Sequence, residues 1–118
     1  MINGIHTIVY AQDAEKARAF FRDVLGFGSV DAGRGWLIFA LPPGEIAAHP
    51  AEPHQAGRHG LYFMCDDIER TIRELKSKSV EFEGEPIDRG WGILVSMRVP
   101  GLGAIGLYQP KHPVAHSR

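Results

Sequence analysis

The hydrophobic and polar positions of this chain fall into one pattern that occurs twice. In the first half an apolar run, Ile8-Val9-Tyr10, follows His6 and ends at Asp13, where a helical pattern begins. In the second half Leu61-Tyr62-Phe63-Met64 follows His59 and ends at Asp66, again at the head of a helical pattern. Each half then carries a glycine, an apolar stretch and a Pro-Gly turn: Gly35-Trp36-Leu37-Ile38 to Pro43-Gly44, and Gly92-Ile93-Leu94-Val95 to Pro100-Gly101. Each closes on a short run that meets a proline, at His49-Pro50 and at Gln109-Pro110. A period near half the chain marks a duplicated supersecondary unit. Equivalent strands in the two halves would bring His6 and His59 together near a pseudo-twofold axis.

The pattern predicts a strand over Asn3 to Tyr10, with His6, Ile8 and Tyr10 on one face. Asp13 caps a helix in which Ala17, Phe20, Phe21, Val24 and Leu25 share a face, and Gly26 ends it. Gly28 to Asp31 reads as a weak second strand, Trp36 to Leu41 as a strong third and Glu45 to His49 as a short fourth. Pro50 to Arg58 is a polar linker between the halves. In the second half a strand over His59 to Cys65 leads to Asp66 or Asp67, which caps a helix. That helix buries Ile68, Ile72 and Leu75 and leaves a charged face to solvent. Strands follow over Val80 to Pro86, Gly92 to Val99 and Ala104 to Gln109, with Gly101-Leu102-Gly103 as a hairpin turn. Lys111 to Arg118 reads as a frayed tail.

Each half is therefore β-α-β-β-β, and neither covers its own sheet face and helix stripe alone. The expected fold is α+β: one domain over residues 1–118, with module one at about 1–50, module two at about 58–110 and a tail at 111–118. The helices pack on one face of curved mixed sheets. The other face curls around a cavity lined by His6, Ile8 and Tyr10 from one module and His59, Leu61 and Phe63 from the other. Short curved sheets leave open edges, so a homodimer is expected.

Composition narrows the partners. The formal net charge is −1, with Lys and Arg scattered, which argues against a nucleic-acid surface. Cys65 is the single cysteine, so there is no internal disulfide and no cysteine-based zinc site; it reads as a small buried residue. No apolar stretch reaches membrane-spanning length, and the first residues read as a strand rather than a targeting signal. A cytoplasmic protein with no membrane partner is the expectation. No glycine loop suited to cradling phosphate is present, so no nucleotide cofactor is expected.

Five segments carry a family resemblance. They are Gly4-Ile5-His6, Phe20-Phe21-Arg22-Asp23-Val24-Leu25-Gly26-Phe27, His59-Gly60-Leu61-Tyr62-Phe63, Asp66-Asp67-Ile68 and Gly106-Leu107-Tyr108-Gln109-Pro110. Together they resemble the vicinal oxygen chelate superfamily, which includes glyoxalase I, extradiol dioxygenases and the bleomycin and fosfomycin resistance proteins. The resemblance spans essentially the whole chain and implies the glyoxalase/bleomycin resistance-type fold. It also implies a place for a divalent metal, held in the family's enzymes by histidines on strands one and five and carboxylates on strands four and eight. His6 and His59 match the two histidine positions, a donor set suited to iron, nickel, manganese or zinc.

The strand-eight position departs from the family. Where the family reads Ile-Glu-Leu-Tyr, this chain has Ile105-Gly106-Leu107-Tyr108. The repeat aligns Ala47 with Gly106, and Glu45 and His49 flank Ala47 on the same strand face as candidate replacement ligands. Gln109 faces the other way. His54 in the linker and His112 and His116 in the tail are read as non-ligands.

Two functions stay open. In the first, small Ala47 and Gly106 make room for a planar or aromatic organic ligand, sequestered as bleomycin-resistance proteins sequester theirs. Tyr10, Trp36, Phe63, Trp91, Arg98 and Tyr108 are its candidate contacts. In the second, His6 and His59 with His49 or Glu45 hold a metal in a lyase, isomerase or dioxygenase whose substrate chelates through two oxygens. The missing carboxylate favours the first and the histidine pair the second. Trp91, between Gly90 and Gly92, is expected to cover something, either as a pocket lid or as a subunit contact. Arg98 is expected to meet Glu45 or an anionic ligand, and Phe39 to lie in the core.

Overall fold

The structure is a computed structural model that describes residues 6–45, 47, 50, 52–56 and 58–115. His49 and His116 lie outside the described residues.

The first helix, α1 (Ala14–Ala19), starts where predicted: Asp13 Oδ1 accepts the Lys16 N–H at 3.1 Å and satisfies one of the helix's orphan donors. It runs on as a wider π turn over Phe20–Val24, in which the Leu25 N–H reaches back to the Phe20 carbonyl at 3.1 Å. Gly26, at φ 72°, supplies the left-handed residue that stops it. A hairpin follows, β1 (Ser29–Asp31) antiparallel to β2 (Leu37–Phe39).

The second half is more complete. It contains β3 (Tyr62–Met64), α2 (Ile68–Lys76), β4 (Phe82–Asp88), β5 (Gly92–Val99) and β6 (Gly103–Pro110). Of the two predicted caps Asp67 is the one used, its Oδ1 accepting the Arg70 N–H at 3.1 Å. The four strands form one sheet in the order β3-β6-β5-β4, with β3 parallel to β6 and the other pairs antiparallel. Gln109 closes the sheet onto the helix, its side-chain oxygen accepting the Ile68 N–H at 2.8 Å.

Both helices cover the same face of this sheet. Ala17 and Phe20 of the first half join Ile68, Leu75, Val95, Met97, Ile105 and Leu107 in one buried cluster. Burial alternates along β5, with Val95, Met97 and Val99 toward the helices, as the period of a half-covered strand requires. The entry to α1 is clipped to the β5–β6 turn, where the Asp13 N–H donates to the Gly101 carbonyl at 2.8 Å. Gly101 is required there twice over. Its φ is 78°, and a Cβ would stand 2.4 Å from the Asp13 carbonyl oxygen. Phe39 is half-buried, its ring edge-on to Phe21 at 5.6 Å.

The expected α+β class and curved, open sheets are present. Of the strands expected over 3–10 and 45–49 only part lies within the described residues. His6 to Tyr10 is in no ladder among the described residues, and neither are Glu45 and Ala47. Residues 111–115 also differ from the frayed tail expected of them, because hydrogen bonds fix them to both modules. Among the described residues no helix is long and apolar enough to cross a membrane.

Candidate functional site

The face of the four-stranded sheet away from the helices carries the chemistry. Register decides which side chains reach it. Tyr62 lies beside Gly106, Phe63 beside Leu107 and Met64 beside Tyr108, while Leu94 and Ser96 of β5 lie beside Tyr108 and Gly106. Leu107 is in the core, so Phe63 turns to the helices with it and Tyr62 turns to the open face. Phe63 meets Phe27 at 5.5 Å and Phe21 at 6.3 Å, both edge-on. The alternation counted from His59 had placed Leu61 and Phe63 on the cavity side. The structure reverses this, because the ladder starts at Tyr62, and one step of register exchanges the two faces.

On the open face two tyrosine rings press against glycines. A Cβ at Gly106 would stand 2.1 Å from Cδ1 of Tyr62, and a Cβ at Gly92 would stand 2.2 Å from Cε2 of Tyr108. The bare backbone at these positions is what lets the rings settle. Trp91, in the turn between β4 and β5, completes a wall. Its ring is 5.5 Å from Tyr108 at 68°, and Tyr62 is 6.1 Å from Tyr108 at 67°. These are edge-to-face arrangements, the favoured geometry for aromatic quadrupoles. Tyr108 is buried at the centre, while Tyr62 and Trp91 remain 49% and 48% exposed.

The tail straps one end of this wall. The Lys111 N–H donates to the Trp91 carbonyl at 2.9 Å, and its ammonium pairs with Asp88. The Tyr108 hydroxyl bonds Nε2 of His112. Nδ1 of His112 lies 2.8 Å from the Pro113 carbonyl, which can only accept. Nδ1 therefore carries a hydrogen. Glu45 arrives from module one: Oε1 accepts the Ala115 N–H at 2.9 Å, and Oε2 stands 3.7 Å from His112 Nε2. Burial, and secondarily the Glu45 charge, push the Tyr108 phenol above its ordinary value, so it stays a donor.

The remaining candidates go elsewhere. Arg98 bonds Glu83 on the neighbouring strand and not Glu45. Trp36 is exposed and stacks under the Arg18 guanidinium at 4.7 Å. Tyr10 is 89% exposed. His6 and His59 are exposed and stand outside any ladder among the described residues. Cys65 is half-buried against the Tyr108 carbonyl, and burial raises its thiol pKa, which suits an inert core residue. Two hollows lie off the wall. One of about 590 Å³ sits between the end of α1 and the β5–β6 turn, where Lys78 is spent on the Val24 carbonyl at 3.3 Å. One of about 350 Å³ runs along the β1–β2 hairpin. The larger sets Gln12, Glu81 and Arg98 beside Phe20 and Val80, and the smaller is mostly apolar.

A divalent metal of the family's kind does not fit the described residues. Among them no three His, Cys, Asp or Glu side chains converge. The ring of Tyr62 fills the space over Gly106, and Glu45 is turned to His112 and Ala115.

A helix-backed curved sheet with an aromatic open face is a fold class that hosts several chemistries, so its relatives matter. Residues 5–105 match the profile of the Glyoxalase/Bleomycin resistance protein/Dioxygenase superfamily, and the chain belongs to that superfamily. The uncharacterized protein YetH of Bacillus subtilis (strain 168) is 31% identical over 109 residues, spanning 83% of this chain and 91% of its own. TnmS3, an antibiotic binding protein from Streptomyces sp. CB03234, is 27% identical with a TM-score of 0.66, over 93% of this chain and 98% of that one. Lactoylglutathione lyase from Agrobacterium tumefaciens shares the fold at 21% identity and TM-score 0.64, over 91% of this chain and 92% of that one.

Of the site residues, the sequence named Trp91, Tyr108 and Glu45. It missed Tyr62, whose placing depends on register, and His112, which no local pattern distinguishes from the rest of a polar tail.

Proposed function

We propose that this protein binds a small planar or aromatic organic molecule against the Tyr62–Tyr108–Trp91 wall and holds it without chemical change. The observation that carries the reading is the pair of rings lying on Gly106 and Gly92, which makes a broad apolar surface with little side-chain freedom left to lose. A flat ligand stacked there gains about 0.5–1.5 kcal/mol per aromatic contact beyond its area burial. The likeness to TnmS3, an antibiotic binding protein, supports a sequestering role. The reading includes a homodimer. Ile8, Tyr10, Val30, Trp36, Ile38 and Leu41 of module one are exposed apolar side chains, and a second copy would cover them.

The competing reading, a metal-dependent glyoxalase- or dioxygenase-type enzyme using His6 and His59, needs a third ligand. Of the two candidates, His49 lies outside the described residues and Glu45 is engaged by the tail, while Gly106 offers no side chain. No specific observation favours it.

Trp36→Phe leaves Trp91 as the sole tryptophan, since the chain has two. Titration with anthracene-9-methanol should then quench Trp91 fluorescence saturably, and Tyr62→Ala should weaken binding roughly fivefold. Absence of saturable quenching across a panel of planar aromatics would remove the reading. So would stoichiometric retention of a divalent metal that is lost in His6→Ala and His59→Ala.

A further inference from the structure

The open face changes character along β5. Val95, Met97 and Val99 are buried toward the helices, so Leu94, Ser96 and Arg98 alternate to the open side. Register then sets out two rows across the sheet. In the first, Tyr108, Leu94 and Ile87 stand side by side, with the Trp91 ring against Tyr108 at one end. In the second stand Gly106, Ser96 and Glu83, about 7 Å further along the strands. The Tyr62 ring, pressed on Gly106 and edge-on to Tyr108, bridges the rows. Arg98 bonds Glu83 and bounds the second row. The first row is thus apolar but for the Tyr108 hydroxyl, which His112 takes, and the polar groups gather in the second. Ser96 is the group left to spare there. It is half-buried, and among the described residues its hydroxyl has no partner, whereas Arg98 and Glu83 hold each other. An apolar ligand lying across Ser96 would strand that hydroxyl away from water, while a ligand oxygen would satisfy it, and this asymmetry is what gives a polar group its power to select.

We propose that the wall reads its ligand along β5, with the apolar end of a planar aromatic molecule against Trp91, Tyr108 and Leu94 and a hydroxyl at its other end bonded to Ser96. Ser96 is then the specificity-determining residue, and the ligand is an uncharged aromatic alcohol or phenol. This rests on the binding reading above and adds the polar group that the site selects and the residue that selects it.

Two planar probes of the same shape separate the two claims: 2-naphthalenemethanol and 2-ethylnaphthalene, which differ by a hydroxyl in place of a methyl group. Binding of each is measured by calorimetry to the full chain, to Ser96→Ala, which removes the hydroxyl from an accessible strand position, and to Ser96→Thr, which keeps it. The readout is the effect of each substitution on each probe, so the different solubilities of the probes cancel. Ser96→Ala should weaken the alcohol roughly fivefold and leave the ethyl compound unchanged or tighter, and Ser96→Thr should retain the alcohol's affinity. Equal weakening of both probes in Ser96→Ala would mean that Ser96 only packs, and no change in either would mean that it lies off the ligand. Each of these results would overturn the inference while leaving the binding reading intact. Failure of both probes to bind the parent chain would remove the binding reading, and this inference with it.

Discussion

Module one and module two share their sequence landmarks and differ in how far they close. In module two the last strand, β6, lies between β3 and β5 and completes a four-stranded sheet that buries Met97 at 0% exposure. Module one has the same caps, helix and hairpin but no paired strand from residues 6–10 or from Glu45 and Ala47. The exposed large hydrophobics follow this division, with Ile8, Tyr10, Val30, Trp36, Ile38 and Leu41 in the first module and only Tyr62, Ile87 and Trp91 in the second. Two of that second set belong to the proposed ligand wall. The lesson is that repeated landmarks specify local elements, while closure depends on one central strand.

The sharpest way to test the comparison is through the two cores. Met97→Ala should cost about 3 kcal/mol in urea unfolding, because a fully buried thioether leaves a cavity. Ile38→Ala, in the half-open hairpin, should cost less than about 1 kcal/mol. Equal losses would mean that module one is as tightly closed as module two.

Gly106→Glu attacks the wall itself. The new Cβ displaces Tyr62, and the carboxylate enters a site without a matched cation, so stability should fall by about 2 kcal/mol. Tyr62→Ala in the same chain should recover the steric part, a coupling that a double-mutant cycle reads directly. If divalent ions restore the melting temperature of Gly106→Glu, the histidine pair is metal-competent after all. Indifference to divalent ions would leave the binding reading standing.

Assembly should separate the modules as well. Light scattering is expected to give a dimer mass for the parent chain. Ile38→Glu should shift it toward monomer with little change in the intrinsic stability of module two, since Ile38 lies outside the main buried cluster. A parent chain that is monomeric at micromolar concentration would leave the first module's apolar face without its proposed cover.

The smallest effect concerns pH. The folded state holds the Tyr108 phenol above its ordinary value, through burial first and Glu45 second. That preference for the protonated form is fully present below the unfolded pKa and is lost as pH climbs through the folded one. Between about pH 9 and 11 the parent chain should therefore lose melting temperature faster than Tyr108→Phe. Parallel curves would show that the phenol ionises as freely in the folded chain as in the unfolded one.

Local chemistry was legible in the sequence wherever local physics decides. Asp13 before α1 and Asp67 before α2 had to accept backbone N–H groups, Gly26 had to end a helix, and β5 fell on Gly92–Val99 as its apolar run predicts. The family was equally readable, because it rests on the order of residues alone. Register and long-range capture belonged to the tertiary structure. Whether Tyr62 or Phe63 faces the open side depends on which residue of β3 is set beside Gly106, and a strand's faces exchange with a single step. That Glu45 meets His112 and Ala115 depends on a tail returning across the end of the sheet over 70 residues of separation. Periodicity carries no information about contacts of that range, since they arise only when packing has brought the two segments to the same edge.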